Sequence, residues 1–213
     1  MPVNPSGLPR REVNNVAGAG GGRRDPLGEA ARAIAGADAL LIAAGAGMGV
    51  DSGLPDFRGP EGFWRAYPSY RALGLRFEAL AQPRWFEADP ALAWGFYGHR
   101  LGLYRAATPH AGFSILRRWV EAKARGAFVF TSNVDGQFER AGFDPAQVHE
   151  CHGSLLHAQC LRACGAGVFA ADFEVAVDPV TFRARPPLPT CPRCGALARP
   201  NVLMFDDWAW DDA

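Results

Sequence analysis

Three sets of residues in this 213-residue chain have the types and spacing to do chemistry. Cys160-Leu-Arg-Ala-Cys164 and Cys191-Pro-Arg-Cys194 form a C-x3-C and a C-x2-C pair. Two close thiolate pairs suit a tetrahedral Zn²⁺, and a fully ligated metal leaves no open position for water, so the expected role is structural. Free buried thiols would not account for the pairing. The second set is Gly45-Ala-Gly-Met-Gly49, directly after the short apolar run Ala39–Ala44. Glycines there allow positive φ and let backbone N–H groups approach an anionic ligand such as a phosphate. The third is His152, followed by Gly153 at the end of an apolar-led stretch. An imidazole is the natural general base near neutral pH. Cys151 beside it could be mistaken for a nucleophile, but neighbours on a strand point to opposite faces.

These residues need elements to hold them. Met1–Pro26 is rich in Pro, Gly, Asn and Arg without apolar periodicity and reads as a disordered lead-in. Leu27–Ala35 has helix formers and stops at Gly36, a helix expected to pack beside the first strand. Ala39–Ala44 has the length of a buried strand, Phe128–Phe130 of a second, and Val148 starts a third ending at His152. Pro60 to about Pro109 is aromatic-rich and reads as a lid or insert of short helices over a cleft. Within it, a helix from about Pro90 places Tyr97 and Arg100 at i and i+3 on one face. That pair suits gripping a carboxylate, or equally a half-buried Tyr with Arg reaching water. Thr108–Trp119 reads as a helix with Thr108 as N-cap and Pro109 in the first turn. Gly165–Thr190 reads as a small ribbon using Val180, Thr181 and Phe182, and Ala198–Phe205 as a strand re-entering the main sheet.

Bulk properties narrow the class. With 48% hydrophobic and 21% charged residues the chain can bury a sizeable core, one domain plus an insert. Lys+Arg and Asp+Glu both number 22, which gives no electrostatic reason to expect nucleic acid or an anionic membrane as partner. No stretch has the ~18–20 apolar residues of a membrane span. Five cysteines clustered in the second half fit a reducing compartment, and the expected location is cytoplasmic. The glycine loop fails both common nucleotide motifs: G-x-G-x-x-G would place its third glycine at Val50, and no G-K-[ST] follows.

The run Gly45–Gly59, GAGMGVDSGLPDFRG, resembles the GAG-x-S-x-x-SGIPDFRG signature of the sirtuins, departing at Gly49 where that family usually has Ser. Thr131-Ser-Asn-Val-Asp-Gly136 resembles their TQNIDG motif with Ser132 for Gln, His152-Gly153 their HG motif, and Arg199-Pro-Asn-Val-Leu-Met-Phe205 their RPxVVxFGE segment with Asp206 for Gly. Trp94–Arg100 is similar to the segment that supplies a Tyr-x-x-Arg pair in sirtuins preferring acidic acyl chains.

The resemblance, covering roughly Leu27–Trp208, implies an α/β fold: a Rossmann-like parallel sheet formed by 27–59, 107–156 and 198–213, with a smaller lobe made of a helical insert (60–106) and a zinc-binding module (157–197). It implies an NAD-dependent protein lysine deacylase acting on acyl-lysine proteins or peptides. NAD would be consumed: the acyl oxygen attacks C1′ as nicotinamide leaves, and the products are lysine and O-acyl-ADP-ribose. It assigns Gly45, Ala46, Gly47, Asp56, Phe57, Arg58 and Ser132 to NAD, Asn133 and Asp135 to the nicotinamide pocket, and His152 to deprotonating a ribose hydroxyl. Tyr97, Arg100, Val202, Met204 and Phe205 would contact the acyl-lysine. For Asn133 and Asp135, turn residues bonding their own backbone are an alternative. An NAD-cleaving hydrolase or ADP-ribosyltransferase, and a non-catalytic NAD or ADP-ribose module, are the alternatives for the whole. The chain stops at Ala213 without the family's later GTS loop and Asn-bearing strand, so the expectation is a fragment or a shortened homologue. Asp206 is expected to narrow the site or force an unfavourable backbone angle.

Overall fold

The computed structural model describes residues 25–55 and 59–212. The chain divides into two compact units, one up to Gly36 and one from Ala37 onward. The first contains helix α1 (Pro26–Gly36), whose opening proline supplies the preset φ of a first turn. The expected lead-in lies, up to residue 24, outside the described residues, and the helix expected at Leu27 falls in the first unit.

The second unit has two sheets. In the first, β1 (Leu40–Ala44), β2 (Ala127–Thr131) and β3 (Val148–Glu150) are parallel in the order β1-β2-β3. Their carboxyl ends carry the glycine loop, the Ser132–Gly136 segment and the His152 turn, the side where open α/β sheets bind ligands. The core beneath joins Val129 to Phe113, Phe138 and Phe143. The opposite face behaves differently from the buried strand expected for Ala39–Ala44. Strand alternation sends Leu41, Phe128 and Phe130 outward, and no described element of this unit covers them: Leu41 is 75% exposed.

Between β1 and β2 the chain forms the expected helical insert: α2 (Gly59–Ala66), α3 (Pro68–Ala72), α4 (Phe77–Leu80), α5 (Trp85–Ala88) and the long α6 (Pro90–Ala106). Helix α6 starts where Asp89 caps Leu92 N–H and Pro90 occupies the first turn. Helix α7 (Ala111–Glu121) follows, and its cap is His110 rather than Thr108: the imidazole Nδ1 accepts from Gly112 N at 3.0 Å. Thr108 and Pro109 stay outside the helix, so the cap falls to the next residue. The short α8 (Gln137–Arg140) leads toward β3.

The second sheet is antiparallel, β5-β4-β6, from β4 (Gly153–Cys160), β5 (Val168–Ala170) and β6 (Ala198–Val202). Ala198–Val202 therefore joins β4 and not the parallel sheet, contrary to the expected re-entry. Its neighbour β4 presents a free edge of the right polarity directly after the His152 turn. Val180, Thr181 and Phe182, expected as ribbon strand, instead form a loop tip. The Asp178 carboxylate collects Val180 N, Thr181 N and Thr181 Oγ1, and Phe182 takes φ 51°. This tip docks on α6, where a Cβ at Gly95 would lie 2.0 Å from Phe182 O. The second core runs through insert, ribbon and β6 alike: Phe63, Tyr67, Trp94, Leu155, Ala184 and Val202 belong to one cluster.

Candidate functional site

The carboxyl ends of the parallel strands, α6 and the segment after β6 enclose a cavity of about 420 Å³. It brings together most of the residues singled out from the sequence: Ala46, Ser132, Asn133, Asp135, His152, Tyr97, Arg100, Val202, Met204 and Phe205 all line it. Gly45 and Gly47 do not. Asp56, Phe57 and Arg58 lie outside the described residues.

The glycine loop winds from Ala46 to Ser52 as a 3-10 turn, with Met48 N donating to Gly45 O at 2.8 Å. Gly45 has φ −140°, and Gly49 is likewise outside the left-handed region, so positive φ is not what these two positions require, contrary to expectation. Gly53, which closes the turn at φ 83°, is the one that does. Gly49 instead sits in close quarters, where a side chain would make its neighbours give by a few tenths of an ångström. A Cβ there would stand 3.3 Å from Gln137 Nε2 and Leu54 Cδ1 and 3.4 Å from Asp135 Oδ2. The turn is tied to α7 through His110, whose N–H donates to Ser52 Oγ at 3.1 Å. Because His110 Nδ1 accepts from Gly112, its Nε2 must carry the proton given to Met48 O at 2.9 Å.

After β2, Ser132 N continues the ladder to Ala44 O, and Thr131 Oγ1 accepts from Asn133 N at 3.1 Å. Asp135 does bond its own turn. Its Oδ1 accepts from Gln137 N at 3.0 Å and its Oδ2 from Gln137 Nε2 at 3.3 Å. The carboxylate is also buried at the cavity wall, and burial raises its pKa above the ordinary aspartate range, with the Gln137 bonds opposing. The turn bonds and the place at the cavity wall therefore belong to one side chain.

His152 sits in the turn between β3 and β4, fixed on both sides by backbone: Cys151 N donates to Thr131 O and Leu203 N to His152 O, each at 2.9 Å. Gly153 takes φ 71° to complete the turn. Cys151 lines a separate cavity with His149, His157 and Trp210, so the adjacent cysteine and histidine face different spaces. Glu150, at the end of β3, accepts from Gly136 N at 3.2 Å, and burial pushes its pKa from 4.5 to about 7.

On the other wall, Arg100 is 6% exposed and does not reach out to water. Its guanidinium lies 5.2–5.9 Å from the ring centroids of Phe96, Tyr104, Tyr97 and Phe77, a cation over aromatic faces. Tyr97 is buried, and desolvation drives its hydroxyl pKa upward, so it stays a neutral donor. The floor is Val202, Leu203, Met204 and Phe205, held to the insert by Phe205 N donating to Ala81 O at 2.9 Å and by the Phe77–Phe205 edge contact. Asp206 takes φ 57°, the angle expected to strain a non-glycine residue there. Sequence reasoning missed Tyr104, Leu54, Phe77 and His110. Tyr104 continues the Tyr97–Arg100 stripe one turn further and could have been found by extending it.

Away from the cavity, the sulfur atoms of Cys160, Cys164, Cys191 and Cys194 all lie within 4.8 Å of one another. Cys160–Cys194 and Cys164–Cys191 are each 3.6 Å apart. Tetrahedral zinc with Zn–S bonds of about 2.3 Å requires S···S separations of ~3.8 Å, and a disulfide about 2.05 Å. The four thiols thus fit a zinc ion and are not disulfides.

The fold is of α/β class: the parallel sheet opens its cavity at the strand carboxyl ends against a helical insert, and the antiparallel sheet leads into a four-cysteine cluster that fits zinc. The model of the Sir2 family matches residues 45–211, and the chain belongs to that family. It is 35% identical to the zebrafish (Danio rerio) "NAD-dependent protein deacylase sirtuin-5, mitochondrial", over 79% of this chain and 57% of that protein. It is 34% identical to the Aeropyrum pernix "NAD-dependent protein deacylase", over 84% of this chain and 64% of that one. The chain thus spans roughly three-fifths of the length of these relatives. Among solved structures it is similar to a Sir2 homologue–NAD complex (TM-score 0.64, 31% identity, 84% of this chain and 61% of that one). It is equally similar to a mutant Sir2 homologue in complex with ADP-ribose (TM-score 0.65, 31% identity, 84% and 64%). No described helix is long and apolar enough to cross a membrane.

Proposed function

We propose that this chain carries the acyl-lysine and nicotinamide half of an NAD-dependent protein lysine deacylase, in a reducing, cytoplasmic setting that suits its free thiols. The observation that carries this reading is the convergence of Asn133, Asp135 and His152 with an apolar floor, Val202, Met204 and Phe205, in one cavity. NAD, when bound, supplies an electrophilic C1′ and the ribose hydroxyls. Asn133 and Asp135, fixed by their bonds with Thr131 and Gln137, would hold the nicotinamide end. Val202, Met204 and Phe205 exclude water from the acyl-lysine chain, and His152 holds the proton taken from a ribose hydroxyl. Tyr97 and Arg100 favour acyl chains ending in a carboxylate. Asp56, Phe57 and Arg58 complete the NAD side by family resemblance. Zinc, held by the four cysteines, is structural.

Nicotinamide release from NAD, followed with and without acetyl- or succinyl-lysine peptides, tests this. Peptide-dependent release that disappears in His152→Ala supports deacylation. Peptide-independent release would favour a hydrolase, for which the apolar floor offers no reason. Binding of NAD or ADP-ribose without release would make the chain a binding module, the reading that the strained Asp206 favours.

A further inference from the structure

The hydroxyl of Tyr104 accepts two hydrogen bonds from one guanidinium: Arg100 Nε at 3.1 Å and Arg100 Nη2 at 2.6 Å. Tyr97, Arg100 and Tyr104 stand at i, i+3 and i+7 of α6, a single stripe, and all three line the cavity. A phenol that accepts from a cation still has its own proton to give. No described residue of the protein accepts the Tyr104 proton, and none bonds the Tyr97 hydroxyl. Tyr104 is itself held in place: its side chain is buried at 5% exposure and its carbonyl accepts from Arg140 Nη1. The two bonds from Nε and Nη2 to one phenol oxygen set the plane of the guanidinium in directions that the ring faces around it do not specify.

We infer that Tyr104 is a specificity-determining residue: it sets the plane of Arg100 and donates its own hydroxyl proton to the terminal carboxylate of an acidic acyl chain bound in the cavity. This rests on the acyl-lysine reading of the cavity. The ligand class is a dicarboxylic acyl group, whose distal carboxylate meets two neutral phenols and one cation. A carboxylate accepts up to about four hydrogen bonds, so three donors from one stripe can be satisfied together. An unsubstituted acetyl group reaches none of them with charge and gains nothing from the arrangement. The cation is not a substitute for the phenol, because Arg100 would retain its charge but lose the paired bonds to Tyr104 and the proton that Tyr104 gives.

Tyr104→Phe removes the hydroxyl and keeps the ring over which Arg100 lies. The expected result is a fall of about tenfold or more in the succinyl-to-acetyl ratio of kcat/KM, the size of one hydrogen bond to a charged group, with the loss mainly in the KM for the succinyl peptide. In an Arg100→Met background the same substitution should change the ratio by less than in the wild type, because the two groups act together. A purely structural role would depress both acyl substrates alike and leave the ratio unchanged, which would overturn the inference. Binding of labelled succinyl- and acetyl-lysine peptides, measured by anisotropy, separates this from the deacylase reading. If the wild type releases no nicotinamide but binds the succinyl peptide more tightly and Tyr104→Phe erases that difference, the inference stands while the proposed reaction fails. Equal binding of the two peptides by the wild type, or a preference that Tyr104→Phe leaves intact, overturns it.

Discussion

A Cβ placed on Gly153 would sit 2.2 Å from the carbonyl oxygen of Asn201, so the His152 turn and β6 are pressed backbone to backbone. At φ 71° the position also disfavours any L side chain. Gly153→Ala is therefore expected to destabilise the fold by on the order of 3 kcal/mol and to displace His152. Urea denaturation and nicotinamide release check it. Unchanged stability with unchanged turnover would contradict the packing described for this turn.

Asp206 makes the opposite prediction. Its φ of 57° carries a penalty of about 1–2 kcal/mol that glycine lacks, offset by about 0.5–1 kcal/mol of extra chain entropy in the unfolded state. Asp206→Gly should raise stability by up to about 1 kcal/mol, giving up only the long 3.4 Å contact from Gln82 Nε2. A lower denaturation midpoint in the glycine variant would show that the carboxylate contributes more than the backbone angle costs.

Glu150 should make stability depend on pH. Its pKa is raised from 4.5 to about 7, chiefly by burial, with the bonds from Ser154 and Gly136 opposing. A carboxyl that holds its proton more tightly when folded stabilises the folded state below pH 4.5. That contribution is lost as pH rises from 4.5 to about 7, and on the order of 3 kcal/mol is gone above it. Glu150→Gln keeps an acceptor for Gly136 N and removes the titration. The variant should match the wild type near pH 4.5 and exceed it at pH 8 in chemical denaturation. Parallel pH profiles for the two proteins would refute the assignment.

Zinc should be present at about one equivalent per chain by elemental analysis, and its removal should reach α6. The ribbon loop seats Phe182 O against Gly95 and Val175 against Gly98, and Tyr70 Oη donates to Phe182 O at 2.8 Å. Chelation is expected to lower hydrogen-exchange protection over residues 90–106 as well as in the ribbon. Protection lost in the ribbon alone would mean that α6 stands without it.

Much of the site was legible because its chemistry depends on residue type at fixed spacing. The four cysteine sulfurs gather within 4.8 Å of one another, and His152, Asn133 and Asp135 line one cavity, so the fold collects residues that spacing alone singles out. What escaped depends on partners distant in sequence. Whether Ala198–Val202 pairs with the parallel sheet or with β4 is decided by which edge is free after the His152 turn, and composition does not record that. Gly49 was legible as a glycine but not for its reason, since crowding by Gln137, Leu54 and Asp135 involves three separate segments. Leu41, Phe128 and Phe130 look like core in a strand pattern, yet among the described residues of this unit no element packs over their face. Tyr104 shows only when the Tyr97–Arg100 stripe is extended from one helical turn to two.

Strand β4 begins at Gly153, next to His152 on the cavity wall, and ends at Cys160, one of the four clustered cysteines. Eight residues of extended chain measure about 27 Å, so a single strand acts as a ruler between the cavity and the cysteine cluster. Inserting or deleting one residue within it would change that distance and turn every side chain beyond the change to the other face. The shift of pairing register between Ser154 and Ala158 is the one place where the ruler already flexes.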